Sequence, residues 1–171
     1  MAVKSVLMVI ASKHFRDEEY QTPRRILEEK GVRITTASSS KAPTTGVNGL
    51  TVRPDLLLEQ VDSNKFQAVV FVGGRGSREF FDDSQAHTLA REMVGAGKKV
   101  GAICIAPVIL ANCGILKGKR ATVFPSETQS LIAGEANYTG AEVEKDGGII
   151  TANGPDAAEQ FGRALVSALE E

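Results

Sequence analysis

The sequence predicts an α/β fold, a mainly parallel sheet with helices on both faces, and three observations point there. Residues 5–11, 66–72 and 100–104 are apolar nearly throughout instead of alternating, the mark of strands buried on both faces. Amphipathic stretches separate these runs, and glycine-rich or very tight turns join strand to helix, as βαβ units require.

Residues 5–11 form the first strand, bounded by polar residues. Thr22 offers a capping hydroxyl and Pro23 suits a first helical position, so a helix is predicted over about 23–30, ended by Gly31. Residues 32–37 read as a second strand, 50–52 as a short extended piece and 56–61 as a brief helix, with small polar residues 38–49 connecting them. The strand at 66–72 ends in Gly73-Gly74-Arg75-Gly76-Ser77, and residues 84–95 place Ala86, Leu89, Ala90, Met93 and Val94 on one helical stripe. After the strand at 100–104, Ala106-Pro107 opens an apolar helix that stops at Gly114. A helix over about 127–133 follows. Residues 142–144 and 149–152 flank Asp146-Gly147 as a hairpin, and residues 156–169 close the chain as an amphipathic helix.

With 171 residues the chain is long enough for one domain, 1–171, burying about 70% of its unfolded surface. Apolar residues at 42% and charged residues at 24% exclude disordered and disulfide-scaffold classes. A net charge of −1 gives no electrostatic footprint for nucleic acid or an anionic membrane, so neither is an expected partner. The apolar run before Lys13 and His14 is too short for a signal sequence or a membrane span, and a cytoplasmic protein is expected. Cys104 and Cys113, without a CxxC and with only His14 and His87 elsewhere, make neither a disulfide framework nor a metal site.

In such sheets the binding crevice lies at the carboxyl ends of the strands, which brings together residues 12–20, 73–77 and 104–105. Cys104 is the sharpest signal. A strand turning directly into a helix projects the turn residue above the sheet, as in a nucleophile elbow. The helix amino terminus would stabilise a thiolate, so a pKa of about 5 to 7 is expected, below the ordinary value of about 8.5. Cys113, inside the next helix, fits a buried apolar role. Gly73-Gly74 can bring backbone N–H groups close to the sulfur and form an oxyanion hole. Of the acidic pair Glu18 and Glu19, a carboxyl beside the sulfur would stay protonated and serve as general acid or base. Arg75 suits a carboxylate or phosphate. Gly114-Ile115-Leu116-Lys117-Gly118-Lys119-Arg120 looks like a phosphate loop but is one residue short and lacks the Ser or Thr that binds Mg²⁺.

Ala102-Ile103-Cys104-Ile105-Ala106-Pro107, Val72-Gly73-Gly74, residues 15–19 ahead of Pro23, Phe124-Pro125 and Asn153-Gly154-Pro155 together resemble the ThiJ/PfpI superfamily, over nearly the whole chain and in the right order. That superfamily includes the YajL-like and parkinsonism-associated protein deglycases and borders the class I glutamine amidotransferases. The resemblance implies a flavodoxin-like three-layer sandwich, a homodimer or higher homo-oligomer, and a reactive, oxidation-prone Cys104. It assigns the family's glutamate to Glu19, by its spacing to Pro23, and the oxyanion amides to Gly74 and Ile105. The peptidase branch has a histidine directly after the cysteine, where this chain has Ile105; deglycases often have one before the later proline, where this chain has Phe124. His14 remains as an auxiliary candidate on the loop after the first strand. The leading expectation is a cysteine enzyme, without metal or organic cofactor, acting on small reactive carbonyls or glycated protein in the manner of glyoxalase III or a deglycase. The alternatives are a redox-sensing or chaperone-like stress protein using an oxidisable Cys104, and a cysteine peptidase or amidase.

Overall fold

The computed structural model describes residues 3–171. In chain order its elements are β1 (Ser5–Val9), α1 (Asp17–Glu29), β2 (Arg33–Ser38), β3 (Thr44–Thr45), β4 (Thr51–Val52), β5 (Leu56–Leu57), β6 (Ala68–Phe71), α2 (Ser84–Gly95), β7 (Lys99–Ile103), α3 (Pro107–Asn112), β8 (Arg120–Ala121), α4 (Thr128–Ala133), β9 (Asn137–Tyr138), β10 (Val143–Asp146), β11 (Ile149–Ala152) and α5 (Ala158–Leu169). Seven strands form one sheet in the order β10-β11-β7-β6-β1-β2-β5, parallel except for the edge strand β10, which pairs antiparallel with β11 through the Asp146-Gly147 turn. This is a flavodoxin-like α/β fold.

The unbroken apolar strands have the expected cause. In β1, Leu7 and Val9 join Val69, Phe71, Leu89 and Ile109 in a core with α2 and α3; Val6 and Met8 join Val70, Leu27, Phe161 and Leu165 in a second core with α1 and α5. Both faces are covered, so neither strand face can be polar. The central strands β1, β6 and β7 are held in register, Val9 opposite Phe71 and Phe71 opposite Ala102, which aligns their carboxyl ends on one rim.

The first helix begins earlier than the capping pattern predicts, at Asp17, and Pro23 lies inside it. The acidic first turn, Asp17, Glu18 and Glu19, favours the positive helix end, and the Arg16 carbonyl accepts from the Glu19 and Tyr20 amides. Pro23 removes one interior hydrogen bond, which the helix tolerates because it is packed against α5. The segment at 56–61 is not one helix: Leu56 and Leu57 pair parallel beside β2 as the edge strand β5, and only Leu58–Gln60 turn, as a 3₁₀ helix. The two-residue pairs β3-β4 and β8-β9 carry too little periodicity to be read from sequence. Among the described residues no helix is long and apolar enough to cross a membrane.

Candidate active site

Cys104 follows β7 directly and has φ +67°, a left-handed conformation that a side chain rarely adopts. The surrounding backbone holds it there. Its amide donates to the Ala152 carbonyl at 2.9 Å, and its carbonyl accepts from the Phe124 amide at 2.8 Å. The Ala106 amide then closes a turn onto Ile103, and Pro107 starts α3. A residue clamped between β11 and the 124 loop has no room to relax, which is how a strained elbow persists.

The loop after β6 meets the cysteine at Gly73 and Gly74. A Cβ on Gly73 would lie 2.6 Å from the Cys104 Cβ and collide with a Glu19 carboxyl oxygen, so only glycine lets the three residues approach. Gly74 has φ +102°, and a Cβ there would press into the 14–16 backbone. The Arg16 amide donates to the Gly73 carbonyl at 2.9 Å and the Gly76 amide to the His14 carbonyl at 3.1 Å, pinning the loops after β1 and β6 together. The amides of Gly74 and Ile105 are directed at the Cys104 sulfur. Among the described residues neither donates to a backbone carbonyl, so both are available to a developing negative charge.

Three consecutive carboxyl groups on α1 meet three different fates. Asp17 accepts from the Asn48 and Leu50 amides at 2.9 and 2.7 Å, and so fastens the 46–50 turn to the helix. Glu18 pairs with the Arg16 guanidinium at 2.5 Å and accepts from the Asn48 side chain. Glu19 is fully buried, and neither of its oxygens has a hydrogen-bond partner of ordinary geometry. Burial pushes its carboxyl up to about 8, although the nearby Cys104 thiol, the Arg16 charge and the Gly73 amide pull it down. Glu19 therefore holds its proton at neutral pH, as a carboxyl beside the sulfur is expected to do.

The expected acidic thiol is not found. Burial, and then the adjacent Glu19 carboxylate, push the Cys104 thiol up to about 12, against the Gly74 and Ile105 amides. The helix that was to stabilise a thiolate is only six residues long and starts three residues beyond the sulfur, whereas the carboxyl is in contact with it. Cys104 and Glu19 therefore titrate as a pair. The first proton leaves near 8, chiefly from Glu19, and the one that remains rests mainly on the Cys104 sulfur, in equilibrium with a minor arrangement that places it on Glu19.

A cavity of about 320 Å³ opens onto this pair, with Cys104, Gly74 and Ile105 in its wall and Arg16, Arg75, Arg78 and Phe124 around them. The sequence singled out Arg75 but missed Arg16 and Arg78. Arg16 was hidden by its acidic neighbours, and Arg78 lies one turn past the glycines, in the 3₁₀ helix Arg75–Phe80. His14 is not brought to the sulfur. It does not line the cavity, and its Nδ1 lies 3.3 Å from the Arg75 guanidinium. His87 bonds the Phe81 carbonyl, and Cys113 donates to the Leu110 carbonyl at 3.4 Å. Among the described residues there is no cluster of His, Cys, Asp or Glu arranged to hold a metal ion.

Residues 4–168 match the profile of the DJ-1/PfpI family. The chain belongs to that family. It is 31% identical to a deglycase of Pyrococcus abyssi, over 96% of this chain and 99% of that one. Its fold is similar to that of a ThiJ/PfpI domain protein from Brachyspira murdochii, with a TM-score of 0.96, 33% identity and coverage of 99% and 98% of the two chains. It is likewise similar to DJ-1beta from Drosophila melanogaster, with a TM-score of 0.90, 30% identity and coverage of 98% and 91%. The family expected from the motifs around Cys104 is the one found, and DJ-1/PfpI relatives that carry enzyme names point to enzymatic activity in the family.

Proposed function

We propose that this protein is a cysteine-dependent enzyme acting on small reactive carbonyls, in the manner of a glyoxalase III or protein deglycase. One observation carries the reading: a buried, proton-bearing Glu19 set against the elbow cysteine, with the Gly74 and Ile105 amides facing the same sulfur. The ionised pair offers two arrangements, carboxylate with thiol or carboxylic acid with thiolate, and the second one attacks. The Cys104 sulfur adds to the aldehyde carbon of methylglyoxal, and the carbonyl π electrons move to oxygen, where the two amides hold the charge. Glu19 gives that oxygen its proton, completing a hemithioacetal. The Glu19 carboxylate then takes the proton from the former aldehyde carbon to give an enediol, the hydroxyl proton passes from the first oxygen to the former ketone oxygen, and Glu19 returns the carbon-derived proton to the neighbouring carbon, leaving a thioester. Water hydrolyses the thioester to lactate and frees the thiol, so methylglyoxal and water are the only reactants consumed.

The test is methylglyoxal consumption with stereospecific lactate detection, without glutathione or added thiols and amines. Saturable turnover that falls at least about 100-fold in both Cys104→Ser and Glu19→Gln is expected, the range for loss of a nucleophile or general acid. Turnover retained in Cys104→Ser would refute the reading.

The unpartnered Glu19 oxygens also favour a second reading, a redox sensor in which they hydrogen-bond a sulfinate on Cys104. Its signature is selective gain of two oxygen atoms on Cys104 under mild peroxide without any turnover. A peptidase reading loses support, since among the described residues no histidine lines the cavity.

A further inference from the structure

The cavity over Cys104 is more basic than a neutral dicarbonyl requires. Three guanidinium groups, Arg16, Arg75 and Arg78, line it, and among the described residues no carboxylate does. Arg16 is paired with Glu18, and Arg78 with Glu127 at 2.9 Å. Among the described residues Arg75 has no carboxylate within ion-pair distance, and its one side-chain hydrogen bond is to the His14 ring. It also directly follows Gly74, whose amide faces the sulfur. A carbonyl group bound at that amide thus sits next to an unneutralised guanidinium, whose planar fork matches the oxygens of a carboxylate or phosphate. The carboxyl at the sulfur, Glu19, keeps its proton at neutral pH and does not cancel this charge.

We propose that the carbonyl substrates of Cys104 carry an anionic oxygen group, carboxylate or phosphate, and that Arg75 is the residue that binds it. This inference rests on the carbonyl-enzyme reading for its substrate but not for its test. Alkylation reports the pocket charge directly: the Cys104 sulfur displaces iodide from iodoacetate, an anion, or from iodoacetamide, its neutral counterpart. The two rates are measured by intact mass at one ionic strength, with Cys104→Ser as the background for Cys113, and their ratio is compared with that for 2-mercaptoethanol.

The ratio of iodoacetate to iodoacetamide is expected to be at least about tenfold higher for the protein than for the free thiol. It should drop at least about fivefold in Arg75→Met and recover in part in Arg75→Lys, because a point charge replaces the fork. A ratio within about twofold of the free thiol, or one unchanged in Arg75→Met, would overturn the proposal. Turnover then names the anion. 4,5-Dioxopentanoate against 2-oxopentanal tests the carboxylate, and hydroxypyruvaldehyde phosphate against hydroxypyruvaldehyde tests the phosphate, each a 1,2-dicarbonyl that can isomerise as above; the preferred class shows the higher kcat/KM for its charged member. If no aldehyde is turned over while alkylation still favours iodoacetate, the carbonyl-enzyme reading fails and the anion site stands.

Discussion

Cys104 and Cys113 lie nine residues apart at opposite ends of α3, and both are buried. Burial raises the thiol of each. They differ in what stands beside the sulfur. Cys113 caps the helix with an ordinary φ of −88° and returns its S–H to a carbonyl three residues back, a contact available to any cysteine at a helix end. Cys104 is held at φ +67°, faces two free amides and abuts a carboxyl that bears its own proton. Burial alone leaves a thiol inert; a neighbouring acid that shares its ionisation, and amides waiting for charge, make the other one a nucleophile.

The harshest way to break this contrast is to deny the three residues their contact. In Gly73→Ala the new methyl meets Glu19 and the Cys104 Cβ at once, so a loss of about 1–3 kcal/mol of stability in urea melts is expected, together with carbonyl turnover at least about 100-fold lower. Cys113→Ala removes only a sulfur and its local bond; turnover within about twofold of wild type is expected. Gly73→Ala with wild-type turnover would mean that the close approach is irrelevant to chemistry.

Glu19 sharpens the contrast through pH. Its folded value of about 8 lies above the ordinary 4.5, so the folded state binds the extra proton between those limits. The stability that neutral Glu19 contributes is fully present below 4.5 and is lost as pH rises through about 8. Glu19→Gln, neutral at every pH, should therefore gain on wild type across pH 5 to 8.5, by on the order of 4 kcal/mol at the upper end. Glu18→Gln loses only a partly exposed ion pair with Arg16 and should move stability by less than about 1 kcal/mol at any pH. Thermal melts of both variants across that range check this, and a Glu19→Gln difference that stays flat would contradict the buried-acid assignment.

Much of this was legible in the chain. The parallel sheet followed from apolar runs that only double burial explains, and the elbow from a strand meeting Ala106-Pro107 without a linker. Gly73-Gly74 announced a close approach. Choosing Glu19 over Glu18 depended on spacing to Pro23 through the family resemblance, because nothing local separates two adjacent glutamates. The direction of the Cys104 shift was not legible. A helix start seen in sequence promises a favourable dipole, but its weight against a touching carboxyl depends on distances that arise only when the fold brings Glu19 of α1 against Cys104. Arg16 and Arg78 escaped notice for the same reason, since a local run of acids says nothing about which charges are spent on Asn48, Leu50 or burial.

The most direct test is the pH dependence of Cys104 alkylation by iodoacetamide, in wild type and in Glu19→Gln. If the two groups share one ionisation, the wild-type rate rises with a midpoint near 8. In Glu19→Gln the midpoint then moves above 9, because burial still holds a thiol without its acid above its ordinary value. A wild-type midpoint of about 5 to 7, as for a thiolate stabilised by a helix end alone, or the same midpoint in both proteins, would contradict the shared proton.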